Sequence, residues 1–132
     1  MPETLSVIES QESVMQYLLL IYANESKFRS LGSAELEALS KEYGVYTQSI
    51  VKSGHLKGGE RLRPTAEAQT VRVKDGKVVS TDGPFAETRE QLAGFYLVEA
   101  KDMEEAKGLA ARIPGAKIGS IEVRPIWPVT ME

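Results

Sequence analysis

Histidine occurs once in this chain, at position 55, and cysteine does not occur at all. Within one chain this excludes a two-histidine metal site, a thiolate metal site, a disulfide and a cysteine nucleophile. Chemistry is left to carboxylates, Lys and Arg, hydroxyl groups and one imidazole, with no metal or cofactor called for. His55 and Asp82 both stand at the ends of strand-like segments. If they meet across the rim of a sheet, the aspartate would fix the tautomer of the ring and raise the basicity of its other nitrogen. That is the arrangement of a general base. The plainer reading of a lone histidine beside Gly54 and Lys57 is an edge residue with no catalytic duty.

Residues 81–90, TDGPFAETRE, hold the second candidate. Asp82 can accept backbone N–H bonds from residues just after it, Gly83 can adopt a positive φ, and Pro84 fixes its own φ, so the segment is a turn. Phe85 then sits among Glu87, Arg89 and Glu90. One large apolar side chain amid fixed charges suits a binding rim; the alternative is that Phe85 plugs the end of the core. Gly58-Gly59 lacks the Lys-Ser/Thr ending of a phosphate loop, and no serine lies in a nucleophile-elbow pattern.

These residues need a scaffold, and 132 residues make one domain with a single core. Hydrophobic residues at 42% and charged residues at 27% are ordinary globular usage. No apolar run approaches the roughly 20 residues of a membrane helix. With no targeting pattern recognised, the expected location is cytoplasmic, and no membrane partner is expected. Residues 1–14 contain Glu3, Glu9 and Glu12 and no Lys or Arg; removing those three from 19 acidic residues leaves 16, against 16 Lys and Arg. A neutral domain does not suit nucleic acid, which demands a basic surface. The acidic leader, poor in large apolar groups, is expected to be a flexible extension to a single domain over 15–132.

Tyr17–Ala23 reads as a buried strand, and the segment 24–32 as a loop. Ser33 is the expected cap of a helix whose apolar face is Leu36, Leu39, Tyr43, Tyr46 and Ile50, with Gly54 just past its end. His55–Leu62 is an irregular strand, with a bulge or close backbone approach expected at Gly58-Gly59. Asp75-Gly76 marks a type I′ hairpin. Phe95–Glu99 is a further strand. Asp102 with Glu105 opens a second helix that buries Met103, Ala106, Ala110 and Ile113. Ile118–Arg124 is the last strand, with Ile121 and Val123 facing away from Glu122 and Arg124. Trp127 reads as an interface residue or a core-end plug. The order is that of a ferredoxin-like, split βαβ α+β protomer, with both helices on one sheet face. The second face then calls for cover, which a back-to-back homodimer supplies.

Asp82-Gly83-Pro84-Phe85 followed by Ala86-Glu87-Thr88 resembles the signature of the YCII-related family in its DGPF branch. Residues 15–22 (MQYLLLIY), 54–62 (GHLKGGERL), 94–98 (GFYLV) and 119–125 (GSIEVRP) resemble other family segments in the same order. The resemblance implies a ferredoxin-like protomer in a dimeric α+β barrel-like pair. It implies no single reaction. Distant relatives carry out eliminations on aromatic rings, which points to acid–base chemistry without a cofactor. Genes of this branch often lie near those of extracytoplasmic-function sigma factors, which points to a regulatory partner protein instead. The other branch carries a His–Asp pair that this chain lacks, since its first helix has no histidine and Ile113 precedes Pro114. The polar residues matching this branch's own signature are Asp82, Glu87, Glu122 and Arg124. Glu122 and Arg124 could also form a structural ion pair that locks the 82–85 loop to the last strand. The resulting expectation is a homodimer with a small-molecule cleft beside that loop: His55 and Asp82 for catalysis, Phe85, Glu87, Glu122 and Arg124 for binding.

Overall fold

A computed structural model of the protein describes residues 14–128. The apolar run near its start forms β1 (Met15–Ala23), in which Tyr17, Leu19 and Ile21 are buried while Leu18, Leu20 and Tyr22 are half-buried. That alternation is the period of a strand whose two faces meet different surroundings. β1 is flanked by β5 (Gln91–Ala100) and β6 (Ser120–Pro125), and β2 (Leu56–Arg61) pairs on the outer side of β5. All three pairings are antiparallel, in the order β2-β5-β1-β6, consistent with a ferredoxin-like α+β fold.

Three helices complete the described chain: α1 (Glu25–Arg29), α2 (Ser33–Lys52) and α3 (Met103–Ala111). The segment 24–32 was expected to be a loop. It contains α1 because Asn24 caps it, accepting from the Lys27 N–H at 3.0 Å. At α2 the cap is Gly32 and Ser33 is the first helical residue; the Glu35 carboxylate reaches back to the Gly32 N–H at 3.3 Å. The other end closes as expected. Gly54 takes φ 81°, its N–H donates to Val51 and that of His55 to Ile50, both at 3.0 Å. This is a Schellman motif. Asp102 caps α3 through the Glu105 N–H at 2.9 Å.

The core lies between one sheet face and α2 and α3, with Leu19, Ile50, Val98 and Ile113 fully buried at its centre. Two tyrosines tie the helices together. The Tyr46 hydroxyl donates to the Leu109 carbonyl at 2.8 Å, satisfying one of the acceptors that the end of α3 leaves open. The Gly115 N–H donates to the Tyr43 hydroxyl at 3.2 Å. Gly115 leaves the room for it, since a Cβ there would stand 2.5 Å from that oxygen.

β2 shifts register between Leu56 and Gly58, so the bulge falls one step before the glycine pair. Gly59 serves close approach instead, because a Cβ on it would meet the Phe95 carbonyl oxygen at 2.7 Å. β3 (Gln69–Lys74) and β4 (Lys77–Asp82) form a separate two-stranded sheet inserted between β2 and β5. Its turn is the expected type I′, with Asp75 at φ 50° and Gly76 at φ 77°. Apart from Val14, the expected extension over residues 1–14 lies outside the described residues.

Candidate functional site

The loop after β4 is set by its neighbours more than by an Asp82 turn. Asp82 still belongs to the strand, paired with Gln69. Its carboxylate therefore projects to the cross-strand partner and accepts from the Gln69 amide at 2.6 Å. Gly83, at φ 92°, makes the bend; its N–H donates to the Ala68 carbonyl at 2.8 Å and its carbonyl accepts from the Thr70 hydroxyl at 2.8 Å. Phe85, 81% exposed, does not plug the core.

Beside the loop lies an open depression of about 280 Å³ lined by Thr65, Pro84, Ala86, Glu87, Thr88 and Gln91. Its wall is fastened by Glu25, whose carboxylate accepts from the Thr65 N–H at 2.9 Å and the Thr65 hydroxyl at 2.6 Å. Gln91 accepts from the Glu25 N–H at 3.0 Å and donates to the Thr88 carbonyl at 2.5 Å. The Thr88 hydroxyl donates to the Glu90 carbonyl. The side-chain donors of Thr65, Thr88 and Gln91 are thus engaged within the wall. The Glu87 carboxylate adds a free acceptor: among the described residues it has neither an ion-pair nor a hydrogen-bond partner. The depression therefore presents acceptors and one negative charge, which suits a ligand that donates hydrogen bonds.

The other candidates stand apart from it. His55 directly precedes β2, whose other end leads towards Thr65; six residues at about 3.3 Å each put the two ends of that strand roughly 20 Å apart. Asp82 and His55 are not brought together. His55 instead contacts Ser53 (Nδ1–Oγ, 2.7 Å) and Glu105 (Nε2–Oε1, 3.3 Å). With the proton on Nε2 facing Glu105, Nδ1 would accept from the Ser53 hydroxyl, a serine–histidine–carboxylate relay. Sequence reasoning missed it because Glu105 was already accounted for as a capping residue. The nearby N–H groups of Ser53, Gly54 and His55 are all used in closing α2, so none is left to stabilise an oxyanion. The relay is a staple between the end of α2 and the start of α3.

Glu122 and Arg124 form an ion pair with each other, the Arg124 Nε lying 2.7 Å from Glu122 Oε2. Both lie on β6, the sheet edge opposite β2, and on the face away from the helices. The pair ties residues of one strand and has no contact with the 82–85 loop among the hydrogen bonds and ion pairs. Trp127, 86% exposed, is no core plug. Of the basic residues around β2, Lys57 meets Glu99 at 3.4 Å, Arg63 meets Glu67 at 3.5 Å, and Arg61 lies 5.9 Å from the centre of the Phe28 ring.

No described helix is long and apolar enough to cross a membrane, and no cluster of His, Asp or Glu among the described residues could hold a metal ion. The sequence profile of the YCII-related domain matches residues 15–130. An uncharacterized protein of Rhizobium meliloti (strain 1021), R00369, is 38% identical over 114 residues, spanning 85% of this chain and 92% of that protein. A profile match over this span, in the segments that form the sheet and its helices, establishes that the chain belongs to the YCII-related family.

Proposed function

We propose that the protein is a homodimer, paired through the open faces of its sheets in a dimeric α+β barrel-like arrangement, that binds a small hydrogen-bond-donating molecule beside the Asp82–Phe85 loop. The observation that carries the binding site is the unpartnered Glu87 carboxylate in a depression whose side-chain donors are engaged. An amine fits that polarity, with exposed Phe85 available at the rim. Acid–base chemistry there would fall to Glu87, because the Asp82 carboxylate is turned to Gln69 and His55 is held beyond the other end of β2. Glu122 and Arg124, on the open face, would act at the paired sheets rather than at this depression.

A screen of small amines and small carboxylic acids by two-dimensional NMR tests the reading. Amines should shift amides of residues 65 and 86–91, carboxylic acids should not, and Glu87→Gln should abolish the shifts while leaving the remaining spectrum intact. Shifts elsewhere, or shifts that survive Glu87→Gln, overturn it. A second reading, a non-enzymatic partner of an extracytoplasmic-function sigma factor, is favoured by the exposure of Phe85 and Trp127. Binding to such a factor that is lost in Phe85→Ala would support it; no binding would remove it.

A further inference from the structure

The β3–β4 hairpin has two chemically different faces. Cross-strand register puts Val71, Val73 and Val78 on one side, with Arg72, Lys74 and Lys77 on the other. The three valines are 61%, 68% and 73% exposed. Little else supports the hairpin, whose substantial packing is strand on strand. A lone two-stranded hairpin is marginal in water and gains stability by packing its apolar face against something. Its base is nevertheless stiff. Gln69 bridges Asp82 and Ser80, at 2.6 and 3.0 Å, and Gly83 is bonded through both its N–H and its carbonyl. The result is an internally braced arm holding a valine stripe in solvent.

The main sheet has a matching need. Its face away from the helices carries Leu18, Leu20, Phe95 and Leu97, with Glu60 and the Glu122–Arg124 pair towards its edges. An apolar centre with a charged rim is the anatomy of an interface. This face alone offers only about ten side chains, against the roughly 20–30 residues that each side of a stable pair contributes. The arm supplies apolar residues towards the deficit, and a second copy carries the same deficit. We propose that the arm lays its Val71, Val73 and Val78 face on the second copy, extending the sheet-to-sheet contact, while its cationic face stays in solvent. This rests on the paired-sheet reading above and adds the element that makes the contact large enough.

The absence of native cysteine gives a clean probe. In Val78→Cys, the alkylation rate of the thiol is followed from dilute protein to a concentration about 100-fold above the dimer dissociation constant. There the free arm should fall below about a tenth of the molecules, slowing alkylation about tenfold. Adding Leu20→Glu, which opposes sheet pairing, should restore the dilute rate. Light scattering on the parent separates two failures. A monomer at every concentration sinks the paired-sheet reading and the arm with it. A dimer in which the thiol reacts at the same rate throughout overturns the arm alone. A thiol protected equally at all concentrations also overturns the arm, since it would then be covered by its own chain.

Discussion

Gly83 and Asp82 divide the work of the loop. A Cβ on Gly83 would meet open space, so Gly83→Ala tests backbone conformation alone. At φ 92° it should cost about 1–2 kcal/mol, read as a lower midpoint in urea; unchanged stability would mean that the loop relaxes freely. Asp82→Asn keeps an acceptor for Gln69 and should change stability by less than about 1 kcal/mol. Any larger effect on a ligand response would then belong to its charge. His55 belongs to a different structure. Glu105→Ala removes the acceptor for both His55 and the Lys101 N–H, bonded at 3.0 Å, and should lose about 1 kcal/mol. Glu105→Gln should lose less. Equal losses in thermal unfolding would show that the carboxylate's geometry is unimportant to the staple.

Tyr46 shows how one hydroxyl joins two helices. Burial pushes it well above the ordinary phenol value, with Tyr96 adding to the rise and Arg112 opposing it; burial raises Tyr43 as well, partly offset by the Gly115 N–H. In the unfolded chain both ionise near pH 10, whereas the folded chain keeps them protonated. The unfolded state therefore sheds protons first, so stability from this source is intact below about pH 10 and falls above it. Tyr46→Phe should cost about 1–2 kcal/mol at neutral pH by leaving the Leu109 carbonyl unpaired. Urea unfolding between pH 8 and 11 should also show a shallower decline than in the parent; identical slopes would refute the assignment. The helix faces and the Asp75-Gly76 turn were legible in the sequence because period and turn chemistry act locally. So was the end of α2 at Gly54. The short helix after Asn24 was not, since five residues carry too little periodicity to declare themselves. The site was less legible. The 82–85 loop was visible as turn chemistry, but the depression depends on Thr65 and Gln91, which only Glu25 brings into one wall. Nothing local in the sequence reveals a contact across forty residues or more.

At the scale of the whole molecule, the proposed pairing through the open sheet face would make concentration a stability variable. If copies pair there, the melting temperature should rise with protein concentration, and Leu20→Glu should yield a folded monomer by light scattering. A concentration-independent melt of a monomer would remove sheet pairing altogether. The strand order also sets a timetable. β1 sits at the centre of the sheet, yet its neighbours are the last strands of the described chain, beginning at Gln91 and Ser120. During synthesis at roughly 5–20 residues per second, its leucine-rich run waits on the order of five seconds or more for a first partner. Helix α2 and the hairpin can form meanwhile from local contacts, but they give β1 no hydrogen-bonded edge. A nascent chain stalled before Ser120 would keep one flank of its most apolar strand open to any other strand it met.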